Sequence, residues 1–278
     1  MATTVDPRIS DFIIGNGYFE ALIWTWIALG AVTYLYLCFK PAPYGRHQDG
    51  NWGPLIPSWV GWVLMEAPSP LILTYYMFKA PPPTSSIGAW VLFALWIIHY
   101  THRSFIQPLT NPGGNKPMPL IICFSAIFFN LVNAYVNGKG LTLYHQEKYQ
   151  TDWLYAPTTI IGLIIFVIGF IINRHSDSIL LNLRKPGETG YKIPYGGMYR
   201  YISCPNYFGE IVEWIGFAIA AQSLPAFSFA FWTFANVAPR AHLHHKWYLE
   251  KFPDYPKERR ALIPFFCLQK APKNNKKN

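Results

Sequence analysis

The sequence predicts an all-α integral membrane protein with seven transmembrane helices, its N-terminus outside and its C-terminus cytosolic. Three observations predict it. The 278 residues are 51% hydrophobic and 18% aromatic but only 13% charged, a balance outside the usual soluble range. Apolar runs near the ~20 residues needed to cross a hydrocarbon core recur along the chain. The basic residues also fall on one side of those runs. With seven crossings the inside segments hold two, two, five and ten Lys and Arg, making 19 of the 23. Only Arg8, Lys79, Lys139 and Lys148 lie outside, whereas six crossings would divide the charge 9 to 14 against the positive-inside rule. Mean hydropathy is only +0.14, because Trp and Tyr score low on such scales while favouring membrane interfaces.

The elements follow in order within a single polytopic domain, residues 1–278. Met1 to Asp11 lacks the basic lead and short apolar core of a removable signal peptide, so the first run is expected to stay as a helix over about 18–39. Further spans are expected over 57–78, 87–107, 118–136 and 153–172, the third loaded in its second half by His99, His102 and Arg103. The region from Ile211 to Ala238 exceeds one crossing and contains Ser223-Leu224-Pro225, a turn signal that divides it into helices over 208–222 and 225–238. The basic tail, 271–278, is expected to be disordered. Four scattered cysteines without a C-x-x-C pair indicate neither a zinc site nor a disulfide framework. The net charge of +9 is spread over the connections, which speaks for membrane orientation and against nucleic acid.

Candidate chemistry begins with Glu66, in the middle of the second apolar run. An ionisable group there costs ~2.5 kcal/mol or more unless it is partnered or protonated, which marks a functional site. If the second and third helices form a hairpin, Glu66 lies 12 residues before the loop and Tyr100 lies 12 after it. At 1.5 Å per residue both sit about 18 Å below the turn and can converge on one ligand atom. His99, His102, His242, His244 and His245 form no H-x-x-x-H or H-x-x-H-H box, so no metal site is expected. Arg103, Lys116, Arg184, Lys185, Lys192 and Arg240 fall on the inside face with Asn111, Asn173, Asp177 and Asn206 among them. That mixture suits a phosphorylated ligand with ribose hydroxyls; a belt touching lipid headgroups is the alternative. No G-x-G-x-x-G or P-loop occurs, so a nucleotide needs a non-Rossmann site.

Trp62, Glu66-Ala67-Pro68-Ser69, His99-Tyr100-Thr101-His102-Arg103 and the stretch from Asn173 to Tyr248 together resemble the membrane-bound steroid 5-alpha-reductases, in a bacterial-type form. The likeness extends to Ala261-Leu262-Ile263-Pro264-Phe265. It implies catalysis by Glu66 and Tyr100. It implies NADPH contacts at Trp62, Arg103, Asn111, Asn173, Asp177, Arg184, Tyr191, Asn206, Glu210, Arg240, His244 and Tyr248. The sequence departs from the family pattern at Gln107, Lys192 and Leu243. The resemblance further implies a monomer in a bacterial inner membrane or the endoplasmic reticulum, with its cofactor site facing the cytosol and a lipophilic enone, a steroid, entering from the bilayer. Hydride would pass to the β-carbon of the enone while Tyr100 and a protonated Glu66 hydrogen-bond its carbonyl oxygen. A reductase of a related lipid enone or enoyl substrate is the alternative within this class, and two other classes compete with it. An isoprenylcysteine-type methyltransferase is only partly echoed by Arg200-Tyr201 and Pro205-Asn206-Tyr207-Phe208-Gly209 and gives Glu66 and Tyr100 no joint task. A non-enzymatic lipid-binding scaffold leaves the ionisable groups at matched depth unexplained.

Overall fold

In a computed structural model, residues 17–40, 52–83, 85–144, 146–185, 188 and 190–264 are described. Arg8, Arg46 and the 271–278 tail lie outside them. Among the described residues nine α-helices follow one another: α1 Gly17–Phe39, α2 Ser58–Glu66, α3 Pro68–Lys79, α4 Ile87–Thr101, α5 Gln107–Thr110, α6 Leu120–Lys139, α7 Pro157–Leu181, α8 Pro205–Ala221 and α9 Leu224–Lys251. The two strands, β1 Leu55–Pro57 and β2 Pro117–Pro119, pair antiparallel with Ile56 opposite Met118. This clasp joins the start of α2 to the start of α6.

Among the described residues three helices are long and apolar enough to cross a membrane unaided: Gly17–Phe39, Leu120–Leu143 and Pro157–Leu181. The other expected spans are interrupted or shared with polar segments. The second is divided between α2 and α3, because Pro68 and Pro70 have no N–H to offer the carbonyls of Leu64 and Glu66. The third runs from α4 into a π-helical turn at His102–Ile106. α9 continues past Ala238 through Pro239 to Lys251, since polar side chains end an apolar run without ending a helix. On α7, Ile160, Ile161, Ile164, Ile168 and Ile171 are exposed while Thr159, Gly162, Phe166, Gly169 and Asn173 are buried. A helix apolar outward and small or polar inward suits lipid around a packed bundle. The centre of the bundle is aromatic: Trp96, Tyr100, Trp214, Phe217 and Phe229 form one buried cluster.

The closest packing is between α7 and α8, and it rests on four glycines spaced by seven. A Cβ on Gly162 would lie 2.4 Å from the backbone N of Ala220, and one on Gly169 would lie 2.2 Å from that of Glu213. The reciprocal pair, Gly209 and Gly216, would meet the backbone N of Asn173 at 2.4 Å and of Phe166 at 2.2 Å. Two backbones touch over two heptads, so the register is fixed and Asn173 and Asp177 come opposite Asn206. Gly209→Ala and Gly169→Ala are each expected to destabilise by about 1–3 kcal/mol, because the obstructing atoms are backbone and cannot rotate away. Thermal unfolding in detergent checks this against Gly17→Ala, where a Cβ meets nothing within 4 Å. A Gly209→Ala midpoint equal to that control would show that the helices separate freely.

The C-terminus of α8 is sealed from the side. Gln222 ends it in the left-handed conformation with φ 47°. Lys148 donates to the carbonyl of Gln222 at 2.5 Å, Tyr149 to that of Ala221 at 2.9 Å and Trp153 to that of Ala220 at 2.9 Å. Carbonyls that lack intrahelical partners at a helix end thus find them on the 146–155 connection.

Candidate active site

Glu66 is the last residue of α2, placed where the proline-broken chain bends into α3. One oxygen lies 3.4 Å from Arg103 Nε, and the other accepts from Asn130 Nδ2 at 3.2 Å. Asn130 also donates to the Met65 carbonyl at 2.7 Å, fixing the amide against α2. Both Glu66 oxygens therefore face donors. The π turn that follows α4 is what turns Arg103 toward α2, a use of π geometry common at functional sites. Tyr100, one turn earlier, is 3% exposed. Its ring stacks on Trp96 with centroids 5.1 Å apart.

Arg103 is the joint between this pair and a polar patch at the end of α7. Its guanidinium lies over the Trp62 ring at 4.6 Å, its Nη1 donates to Gln107 at 3.4 Å, and its Nη2 stands 4.0 Å from Glu210. Gln107 passes the chain on, donating to Asp177 Oδ2 at 3.0 Å. Asn206 Nδ2 donates to Asp177 Oδ1 at 3.2 Å, and Asn173 Nδ2 donates to the Asn206 carbonyl at 2.8 Å. Arg174 stands 3.3 Å from Asp177 and also reaches His102 and Asn173. Seven residues expected from the sequence therefore share one connected region: Trp62, Glu66, Arg103, Asn173, Asp177, Asn206 and Glu210.

The remaining expected contacts lie in other places. Tyr191 meets Trp247 edge to face at 4.8 Å, and Tyr248 stacks on Tyr255 at 5.1 Å, both around the end of α9. His244 stacks against Tyr207 at 5.8 Å and hydrogen-bonds its hydroxyl at 3.3 Å, which ties α9 to the start of α8. Arg240 follows Pro239 in α9. Arg184 donates to the Gly190 carbonyl at 3.1 Å. Asn111 accepts from the Gly113 N–H at 2.9 Å and so shapes the turn before β2. Lys192 is paired with Glu188; its hydrogen bond, with one from the Lys185 backbone, holds that carboxyl below the usual range.

Sequence reasoning passed over three features of this region. His99 Nδ1 lies 2.7 Å from Glu213, and both side chains are buried beneath Tyr100 and Trp214. Glu213 was as legible as Glu66, being an acid inside an apolar run. Gln107, noticed only as a departure from a pattern, bridges Arg103 to Asp177. Arg174, one of the five basic residues of the third inside segment, contacts His102, Asn173 and Asp177.

Comparison with known proteins gives a consistent result. A family model described as 3-oxo-5-alpha-steroid 4-dehydrogenase matches residues 116–267. The chain is 43% identical over 249 residues to 3-oxo-5-alpha-steroid 4-dehydrogenase 1 of Bos taurus, covering 88% of this chain and 96% of that one. It is 42% identical over 246 residues to the Homo sapiens protein of the same name, covering 88% and 94%. It is 37% identical over 259 residues to steroid 5-alpha-reductase DET2 of Arabidopsis thaliana, covering 91% and 98%.

Proposed function

We propose that this chain, which belongs to the 3-oxo-5-alpha-steroid 4-dehydrogenase (steroid 5-alpha-reductase) family, reduces the Δ4 double bond of a 3-oxo-steroid with NADPH to give the 5-alpha product. The observation that carries this reading is the joint at Arg103. It links an acid in the apolar layer, Glu66, through Gln107 to a patch of Asp177, Asn206 and Asn173. A carbonyl compound dissolved in the bilayer meets the first, and a polar cofactor from the aqueous side meets the second.

The donor set of the patch fits a dinucleotide. Arg103 and Arg174 supply guanidinium donors for phosphate, and Asp177 supplies an acceptor for ribose hydroxyls. Arg174 Nε is buried with no partner among the described residues, a donor left over for a ligand. NADPH, when bound, supplies the hydride. Tyr100 donates a hydrogen bond to the substrate carbonyl oxygen as negative charge grows on it, and Glu66 joins it when protonated. A donor preorganised at such an oxygen is worth about 10²-fold or more in a site closed to water. Arg103 and Asn130 hold the Glu66 carboxyl in place, and the aromatic rings around Tyr100 keep water from the developing enolate.

The reading includes a single polytopic domain of seven spans, with α2 and α3 sharing one crossing, a monomeric state and a cofactor face turned to the cytosol. Supplying NADPH to inverted and to right-side-out vesicles, with a 3-oxo-Δ4-steroid in both, tests reaction and orientation together. The expected result is a 5-alpha product from inverted vesicles alone. A thermal shift of the purified protein with S-adenosylmethionine and none with NADPH would overturn the reductase reading. Within it, Asp177→Ala is expected to raise the NADPH dissociation constant at least about tenfold, by loss of a charged hydrogen-bond acceptor; Arg184→Ala is expected to do the same through charge. Unchanged binding in folded variants would assign these side chains to lipid headgroups.

A further inference from the structure

We propose that Glu213, acting through His99, holds the Tyr100 ring in place for the reduction. The inference rests on the reductase reading and adds two positioning residues to it. His99 and Glu213 are 3% and 0% exposed, and His99 Nδ1 lies 2.7 Å from Glu213 Oε1. Such a buried pair is a poor device for stability alone, because well-packed apolar side chains of similar volume serve stability as well or better. The other carboxyl oxygen, Oε2, is buried with no partner among the described residues, which costs the fold further. The pair's place in the bundle supplies a reason for keeping it.

Four rings surround Tyr100. Trp96 and Phe229 stack on it with centroids 5.1 and 6.5 Å away, Trp214 lies tilted at 6.1 Å, and His99 meets it edge to face at 5.1 Å. Stacked rings tolerate offset, so stacking alone lets the Tyr100 ring slide in its own plane and carry its hydroxyl with it. A ring set across that plane blocks the slide when it is itself held. His99 is held by α8 at two points, through the hydrogen bond to Glu213 and through the ring of Trp214, edge to face at 4.7 Å. α8 is fixed at the same level, since a Cβ on Gly169 of α7 would lie 2.2 Å from the Glu213 backbone N. The two backbones touch at the residue that carries the carboxyl. Position thus passes from the α7–α8 contact to Glu213, from Glu213 to His99, and from His99 to the Tyr100 ring. A group misplaced by about 1 Å at a reacting centre can cost about 10²-fold in rate, which is the scale of the control this chain of contacts exerts.

The test replaces the pair with apolar side chains, His99→Leu together with Glu213→Leu, and follows thermal unfolding, NADPH affinity and reduction of a 3-oxo-Δ4-steroid by the purified full chain. The double variant should unfold at or above the wild-type midpoint and bind NADPH as before. Its kcat should fall by about tenfold, and by no more than that of Tyr100→Phe. Glu213→Gln, which can still hydrogen-bond His99, should stay within about threefold of wild type in kcat. In a Tyr100→Phe background the same double change should cost no more than about twofold, because it acts through a hydroxyl that is no longer there. A double variant with wild-type kcat, or an equal loss with and without the Tyr100 hydroxyl, would overturn the inference. A double variant that no longer folds while Glu213→Gln stays at wild-type activity would overturn it as well, by giving the pair a structural role. Reduction of no 3-oxo-Δ4-steroid by the wild-type chain would overturn the reductase reading, and the inference with it.

Discussion

Tyr100→Phe should lower kcat by about 10²-fold or more while the NADPH dissociation constant stays near its original value. The change removes one hydroxyl from a ring whose position is set by stacking on Trp96 and by the surrounding Trp214 and Phe229, so the fold should survive it. The hydroxyl's task is confined to the moment when charge grows on the substrate oxygen, and it touches none of the patch around Asp177. Glu66→Gln should be milder than Glu66→Ala. The amide keeps an oxygen for Arg103 or Asn130 and an N–H for the substrate, whereas alanine leaves Arg103 without its 3.4 Å partner. Because both side chains serve one oxygen, the double variant Tyr100→Phe with Glu66→Gln should lose less than the product of the single losses. Steady-state kinetics with a separate cofactor titration measure all of this. Lowered thermal stability, near-normal turnover of the folded fraction and independent effects of the two changes would give the pair a structural role and remove the mechanism.

What was legible in the sequence was what the membrane makes costly. Glu66, Arg103 and Asp177 stand out because an ionisable side chain beside apolar helices needs a reason. The all-helical class followed from composition for the same reason, since backbone polar groups in lipid must be satisfied within the segment. What stayed hidden depends on partners. The spacing of seven between Gly162 and Gly169, and between Gly209 and Gly216, is visible in the chain, but a small residue matters only once the facing backbone is known. That facing backbone is what sets Asn173 and Asp177 against Asn206. The helix through Pro239 was hidden because hydropathy reports the bilayer boundary, while α9 runs 28 residues and carries Arg240, His244 and Tyr248 beyond it. The π turn at His102–Ile106 has no sequence signature, and without it the direction of Arg103 cannot be derived from a regular helix.

Arg103→Lys should be nearly as damaging as removal of the charge, and this separates geometry from electrostatics at the joint of the site. Arg103 addresses Glu66 through Nε, Gln107 through Nη1 and Glu210 through Nη2, with its face on Trp62. A lysine ammonium is one point of charge on a flexible stem and can meet only part of that set at once. The side chains of Arg103 and Glu66 are 19% and 13% exposed, so the pair is mostly withdrawn from water, and breaking such a pair typically costs about 3–5 kcal/mol. At 1.36 kcal/mol per decade, Arg103→Met should therefore lose about 10²- to 10⁴-fold in kcat/KM. Arg103→Lys should lose at least about 10²-fold, because Gln107 and through it Asp177 are released even where a cation remains near Glu66. Unlike Tyr100→Phe, both variants should weaken NADPH binding and lower kcat together, since Arg103 touches the acid on one side and the Asp177 patch on the other. A lysine variant within about threefold of wild type in both parameters would show that charge alone suffices at this position, and the linked network from Glu66 to Asn206 would then be a packing arrangement with no part in joining the two sites.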